Sequence, residues 1–64
     1  MYIVIVNPGN DEKRHGTYQS ATLDGKRQRL LVKWSPGLTS DMYVGDRDVY
    51  FYKSRVQAKK DHQF

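Results

Sequence analysis

The sequence predicts an all-β fold, and three observations carry that prediction. Asp24-Gly25 stands between two β-prone runs, residues 17–23 and 26–34, and an Asp-Gly pair in that setting is a strong signal for a two-residue hairpin turn. The opening stretch, residues 2–6, is an unbroken series of aromatic and β-branched or aliphatic side chains that stops at Asn7-Pro8-Gly9-Asn10, a strand followed by a turn. No segment keeps a helical apolar period for more than one turn.

In chain order, the five successive apolar residues from Tyr2 to Val6 require cover on both faces of their strand, as for a strand bridging the two sheets of a small barrel. Residues 7–16, NPGNDEKRHG, are apolar only at Pro8 and carry four consecutive charges, Asp11 to Arg14; they read as a long exposed connection. In the hairpin, a type I′ turn centred on Asp24-Gly25 would pair Leu23 with Lys26, Ala21 with Gln28, Gln19 with Leu30 and Thr17 with Val32. One surface then carries Ala21, Leu23, Leu30, Val32 and Trp34. The other carries Tyr18, Ser20, Thr22, Arg27, Arg29, Leu31 and Lys33. Trp34 reads as core, with a partner anchor at the strand end as the alternative.

Ser35-Pro36-Gly37 ends the hairpin strand, because proline has no N–H for a ladder. Residues 38–48 hold either a brief strand around Met42-Tyr43-Val44 or a half-helical turn. Residues 48–52 return to strand composition, with Val49 and Phe51 on one side and Tyr50 and Tyr52 pointing away from the core. Lys53-Ser54-Arg55 then interrupts, Val56 and Ala58 begin a short last strand, and residues 60–64 form a frayed tail. All 64 residues belong to one domain.

The balance of 11 Lys+Arg against 7 Asp+Glu, a net charge of +4, is unevenly spread. Within residues 16–34, Lys26, Arg27, Arg29 and Lys33 stand against Asp24 alone, and residues 49–60 hold Lys53, Arg55, Lys59 and Lys60 with no acid. Asp41, Asp46 and Asp48 outweigh Arg47 between them. A defined positive side suits nucleic acid, DNA or RNA, or an acidic protein surface. With no cysteine the chain has neither a disulfide frame nor a thiolate zinc site. No apolar run approaches the ~20 residues of a membrane span, and the apolar start is too short for a signal peptide, so a cytoplasmic protein with no membrane partner is expected.

Catalytic constellations are not found. His15 in a charged stretch and His62 in the tail have no placed Asp or Ser to form a relay, and no phosphate-binding glycine loop or HExxH pattern occurs. Asp46 and Asp48 lack the rest of a calcium loop. The expectation is a protein that is not an enzyme, with no cofactor and no small-molecule substrate.

Tyr50-Phe51-Tyr52-Lys53-Ser54-Arg55-Val56-Gln57 resembles the closing motif of SH3-type domains, an aromatic-rich strand running into a 3₁₀ turn followed by a buried valine. The order of elements is similar to that of SH3-like small barrels, and the basic ending looks like the integrase C-terminal, KOW or Tudor types. The resemblance implies a five-stranded barrel with a short 3₁₀ turn before the last strand, a Phe51–Val56 core pair, and binding to nucleic acid or protein.

The binding residues expected from charge and aromatic interleaving are Tyr18, Arg27, Arg29, Lys33, Tyr50, Tyr52, Lys53 and Arg55, cations for phosphates and rings for bases. The same tyrosines would otherwise cover the flank of the fold or pair across strands. Two functions follow: a small nucleic-acid-binding domain, or a protein-interaction module, an accessory subunit or small inhibitor docking on an acidic partner.

Overall fold

The computed structural model of the chain describes residues 1–35 and 37–64; Pro36, read above as a strand terminator, lies outside them. Five strands, β1 (Tyr2–Val6), β2 (Lys13–Asp24), β3 (Arg27–Trp34), β4 (Thr39–Tyr43) and β5 (Asp48–Tyr52), precede one helix, α1 (Arg55–His62). The strands form a single antiparallel sheet in the order β4-β3-β2-β1-β5. The ambiguous segment 38–48 therefore resolves into strand β4 and a turn closed by Arg47 N–H to Val44 O at 3.1 Å.

The sheet is strongly curled and not closed. Met42 and Val44 from one end of the sheet and Val49 from the other pack on the same cluster of Ile3, Ile5, Leu30, Val32 and Trp34, while β4 and β5 remain its two edges. β1 is buried on both faces, as expected. The second cover is α1, however, not a second sheet: Tyr2 and Val4 pack with Ala58, and Val6, Tyr52 and Phe64 flank them.

The last strand and frayed tail expected after Tyr52 are a correction. Ser54 caps α1, its hydroxyl accepting from Gln57 N–H at 3.4 Å, and Ser54-x-x-Gln57 has the spacing of a capping box. Lys59, Lys60 and His62 lie in the last turn, where cations meet the negative end of the helix dipole, and Gln63 closes it in the left-handed region at φ 56°. Val56 is 66% and Phe51 49% exposed, so they are not a core pair; buried Ala58 is the helix's contact with the sheet.

Phe64 is docked. Its ring stacks on His15 at 3.7 Å and 14°, and Lys13 Nζ donates to His62 O at 2.8 Å. His15 is thus a half-buried member of β2, because the connection after β1 spans only Asn7 to Glu12, tied by Asn7 N–H to Glu12 O at 2.9 Å and Asp11 N–H to Asn7 O at 2.8 Å. Tyr2 Oη lies 2.5 Å from His15 Nδ1. Burial, and secondarily the Arg55 guanidinium, holds the His15 pKa below its usual value.

The hairpin also differs in register. Asp24 pairs with Arg27, leaving Gly25-Lys26 as the turn; Gly25 has φ 63° and Lys26 is not among the positive-φ residues, the combination of a glycine-first II′ turn rather than I′. At the tip this shifts the pairing by two residues and preserves the faces, so Leu30, Val32 and Trp34 are buried as expected. Ala21 and Leu23 overhang the core and are exposed, Leu23 by 77%. A bulge between Tyr18 and Ser20 then moves the register back by one, a net shift of one residue from the expected pairing, which transfers Tyr18 to the core face opposite the arginines.

Three outcomes test this packing. The β3 backbone comes so close to Gly16 that an added Cβ would meet Lys33 O and lie 2.8 Å from Trp34 Cα. Gly16→Ala is expected to cost about 1–3 kcal/mol in urea denaturation, since backbone must shift to make room. Ser54→Ala is expected to cost about 1 kcal/mol through loss of the cap. The unfolded chain takes up a proton at His15 more readily than the folded one, so this contribution is complete above the model-peptide value of 6.5 and is lost as pH falls through the lower folded-state pKa. The denaturation midpoint should therefore drop more between about pH 7.5 and about pH 5 in the wild type than in His15→Phe, which keeps a ring for Phe64.

Candidate functional site

Strand periodicity gives the sheet one face turned to the main core and one turned to α1. On the α1 side, β3 presents Arg27, Arg29, Leu31 and Lys33. The pairings put Thr17, Ser20 and Thr22 of β2 and Thr39, Asp41 and Tyr43 of β4 beside them. Because α1 packs mainly over β1 and β5 and meets β2 at its start, where Lys13 bonds His62, the rest of this face on β2, β3 and β4 stays open. The result is a surface of three cations, several hydroxyls and one aromatic ring.

The cations are not equivalent. Arg29 lies 3.4 Å from the Asp41 carboxylate, both side chains being half exposed, an ion pair worth about 0–1 kcal/mol that partly neutralises it. The Arg27 and Arg29 guanidiniums sit 5.6 and 5.8 Å from the Tyr43 ring centroid, within cation–π range. Tyr43 Oη donates to Asp24 Oδ2 at 3.1 Å, so the ring is held against the hairpin tip. At the other end of β3, Lys33 and Arg55 line one open cleft of about 600 Å³ with Tyr2, Thr17 and Trp34. The two basic segments, remote in sequence, meet there.

Not all the expected binding residues join this surface. Tyr18 is on the core face, edge-to-face with Phe51 at 5.4 Å and 81°. Tyr50 and Tyr52 are on the α1 side but lean on His62: the Tyr50 ring centroid is 4.9 Å from the imidazole, and Tyr52 Oη is 2.7 Å from Nε2. The Tyr52 hydroxyl pKa is raised, by burial first and then by the neighbouring Asp61 carboxylate. Lys53 is exposed between β5 and α1. Arg27, Arg29, Lys33 and Arg55 thus share one side of the molecule, whereas Tyr18 does not.

Tyr43 and Asp41 belong to this surface although charge and aromatic interleaving along the chain do not single them out as binding residues. The signal was there in the period-two alternation of Ser40, Met42 and Val44 against Asp41 and Tyr43, which places the tyrosine with the acid and away from the methionine. Trp34 is core: it is 6% exposed, its Nε1–H donates to Ser40 Oγ at 2.8 Å, and Arg14 covers its ring at 4.4 Å.

Among the described residues no cluster of three or more His, Cys, Asp or Glu could hold a metal ion, and no helix is long and apolar enough to cross a membrane. No family model, no curated protein and no solved structure matches the chain.

Proposed function

We infer that the chain is a small, basic, non-catalytic module that binds nucleic acid, DNA or RNA, on the open β2–β3–β4 face. The observation that supports this best is the stripe of Arg27, Arg29 and Lys33 on one strand face, continued by Arg55 across the Lys33 cleft. Arg27 and Arg29, at alternate strand positions, stand ~6.6 Å apart and Lys33 follows beyond Leu31 at about twice that distance, a row suited to following a charged backbone, and Thr17, Ser20 and Thr22 add hydroxyls that bond phosphate oxygens. The face has no buried nucleophile or acid–base pair, in keeping with binding rather than chemistry.

The fold reading belongs here as well. We read the fold as an SH3-like small barrel left open between β4 and β5, a reading supported by the five-stranded antiparallel order in which β5 returns beside β1. That assignment agrees with a binding role on a strand face.

The test is fluorescence anisotropy with labelled single- and double-stranded oligonucleotides at several salt concentrations. Arg27→Ala with Arg29→Ala is expected to weaken binding and to lower the magnitude of the slope of log K against log salt by about 1–2 on duplex DNA, the lower end applying if Asp41 already neutralises Arg29. Stability should hardly change, because both side chains are at the surface. Absence of binding below millimolar concentration at low salt would overturn this function and leave an acidic protein partner, for which the same pair of substitutions should slow association.

A further inference from the structure

At the end of the sheet, the β2–β3 turn meets the chain leaving β4, and a cavity of about 400 Å³ opens between them, lined by Lys26, Arg27, Gln28, Tyr43, Val44 and Gly45. We propose that this cavity is a subsite for one unstacked base of a single-stranded nucleic acid, with Tyr43 as its stacking platform. The proposal rests on the nucleic-acid reading above and narrows it to single strands.

A base needs a flat π surface, an apolar wall, a polar group at its edge and a cation for the adjoining phosphate. Tyr43 supplies the first, half exposed, with its position set at one end by the hydrogen bond to Asp24 and at the other by the β4 backbone. Val44 supplies the wall, and its N–H is already spent on Gln28 O at 3.0 Å, so the backbone there makes no demand on the ligand. The Gln28 side-chain amide both donates and accepts, which suits a base edge without selecting one base. Arg27 and Lys26 place positive charge at the mouth, and Arg27 and Arg29 beside the ring continue into the stripe leading to Lys33. Paired bases in a duplex hide their faces in the stack, so this arrangement favours single strands.

The experiment compares wild type, Tyr43→Ala, Tyr43→Leu and Tyr43→Phe by anisotropy, with a labelled thymidine oligonucleotide and a duplex of equal length. Wild type should bind the single strand more tightly than the duplex at equal salt. Tyr43→Ala should weaken single-strand binding roughly 5- to 100-fold, with the salt slope and duplex binding unchanged, the range expected for loss of one base–aromatic stack. Tyr43→Leu keeps apolar bulk without a π face and should behave like Tyr43→Ala, which guards against a loss that is merely structural. Tyr43→Phe, which keeps the ring and loses the bond to Asp24, should stay close to wild type. If the oligonucleotides bind with a strong salt slope but Tyr43→Ala and Tyr43→Leu have no effect, the subsite is overturned and the charged-face reading stands. If wild type binds neither oligonucleotide, both fall together.

Discussion

The structure depends on the double burial of β1. Ile3 and Ile5 on one face and Tyr2 and Val4 on the other are all nearly or fully withdrawn from solvent, in a strand of five residues. At roughly 1.5–3 kcal/mol for each buried aliphatic side chain, neither face could be left open in so small a protein. The sheet therefore curls over Ile3 and Ile5 until side chains from both of its ends touch the same cluster, and α1 closes over Tyr2 and Val4. The curl needs Gly16, since any Cβ there would collide with the backbone of β3.

That arrangement also decides which surface is free. α1 has one buried residue, Ala58, and it lies mainly over β1 and β5. The remaining half of the same sheet face meets water and is mostly polar or basic, with Leu31 its one exposed leucine: arginines and lysine alternate with buried Leu30 and Val32 along β3. Stability and the candidate site are linked by this division. The strand that contributes Leu30, Val32 and Trp34 to the core displays Arg29, Leu31 and Lys33 on its back.

The aromatic residues divide along the same line. Tyr2, Tyr18 and Tyr52 are spent on packing, with Tyr2 and Tyr52 each bonded to a histidine and Tyr18 set against Phe51. Phe64 makes the chain terminus part of the fold by stacking on His15, so the two histidines are structural partners of tyrosines. Tyr43 is the ring left beside the arginines. Its hydroxyl answers the Asp24 carboxylate at the tip of the hairpin, which ties β4 to the turn between β2 and β3.

By itself the sequence determined the strand-rich class, the position of the central hairpin, the two-sided burial of the first strand, and the inward facing of Leu30, Val32 and Trp34, because period-two patterning and turn chemistry act locally. It also held the capping signal of α1 in Ser54 and Gln57, which lay hidden beneath a resemblance to a barrel-closing motif. Only the tertiary structure decided the bulge after Tyr18, since one extra residue in a ladder costs little locally yet turns every side chain beyond it to the other face. Nor could spacing along the chain bring Lys33 to Arg55 or Phe64 to His15: those meetings follow from where α1 lands on β1, and that is fixed by packing between residues far apart in sequence.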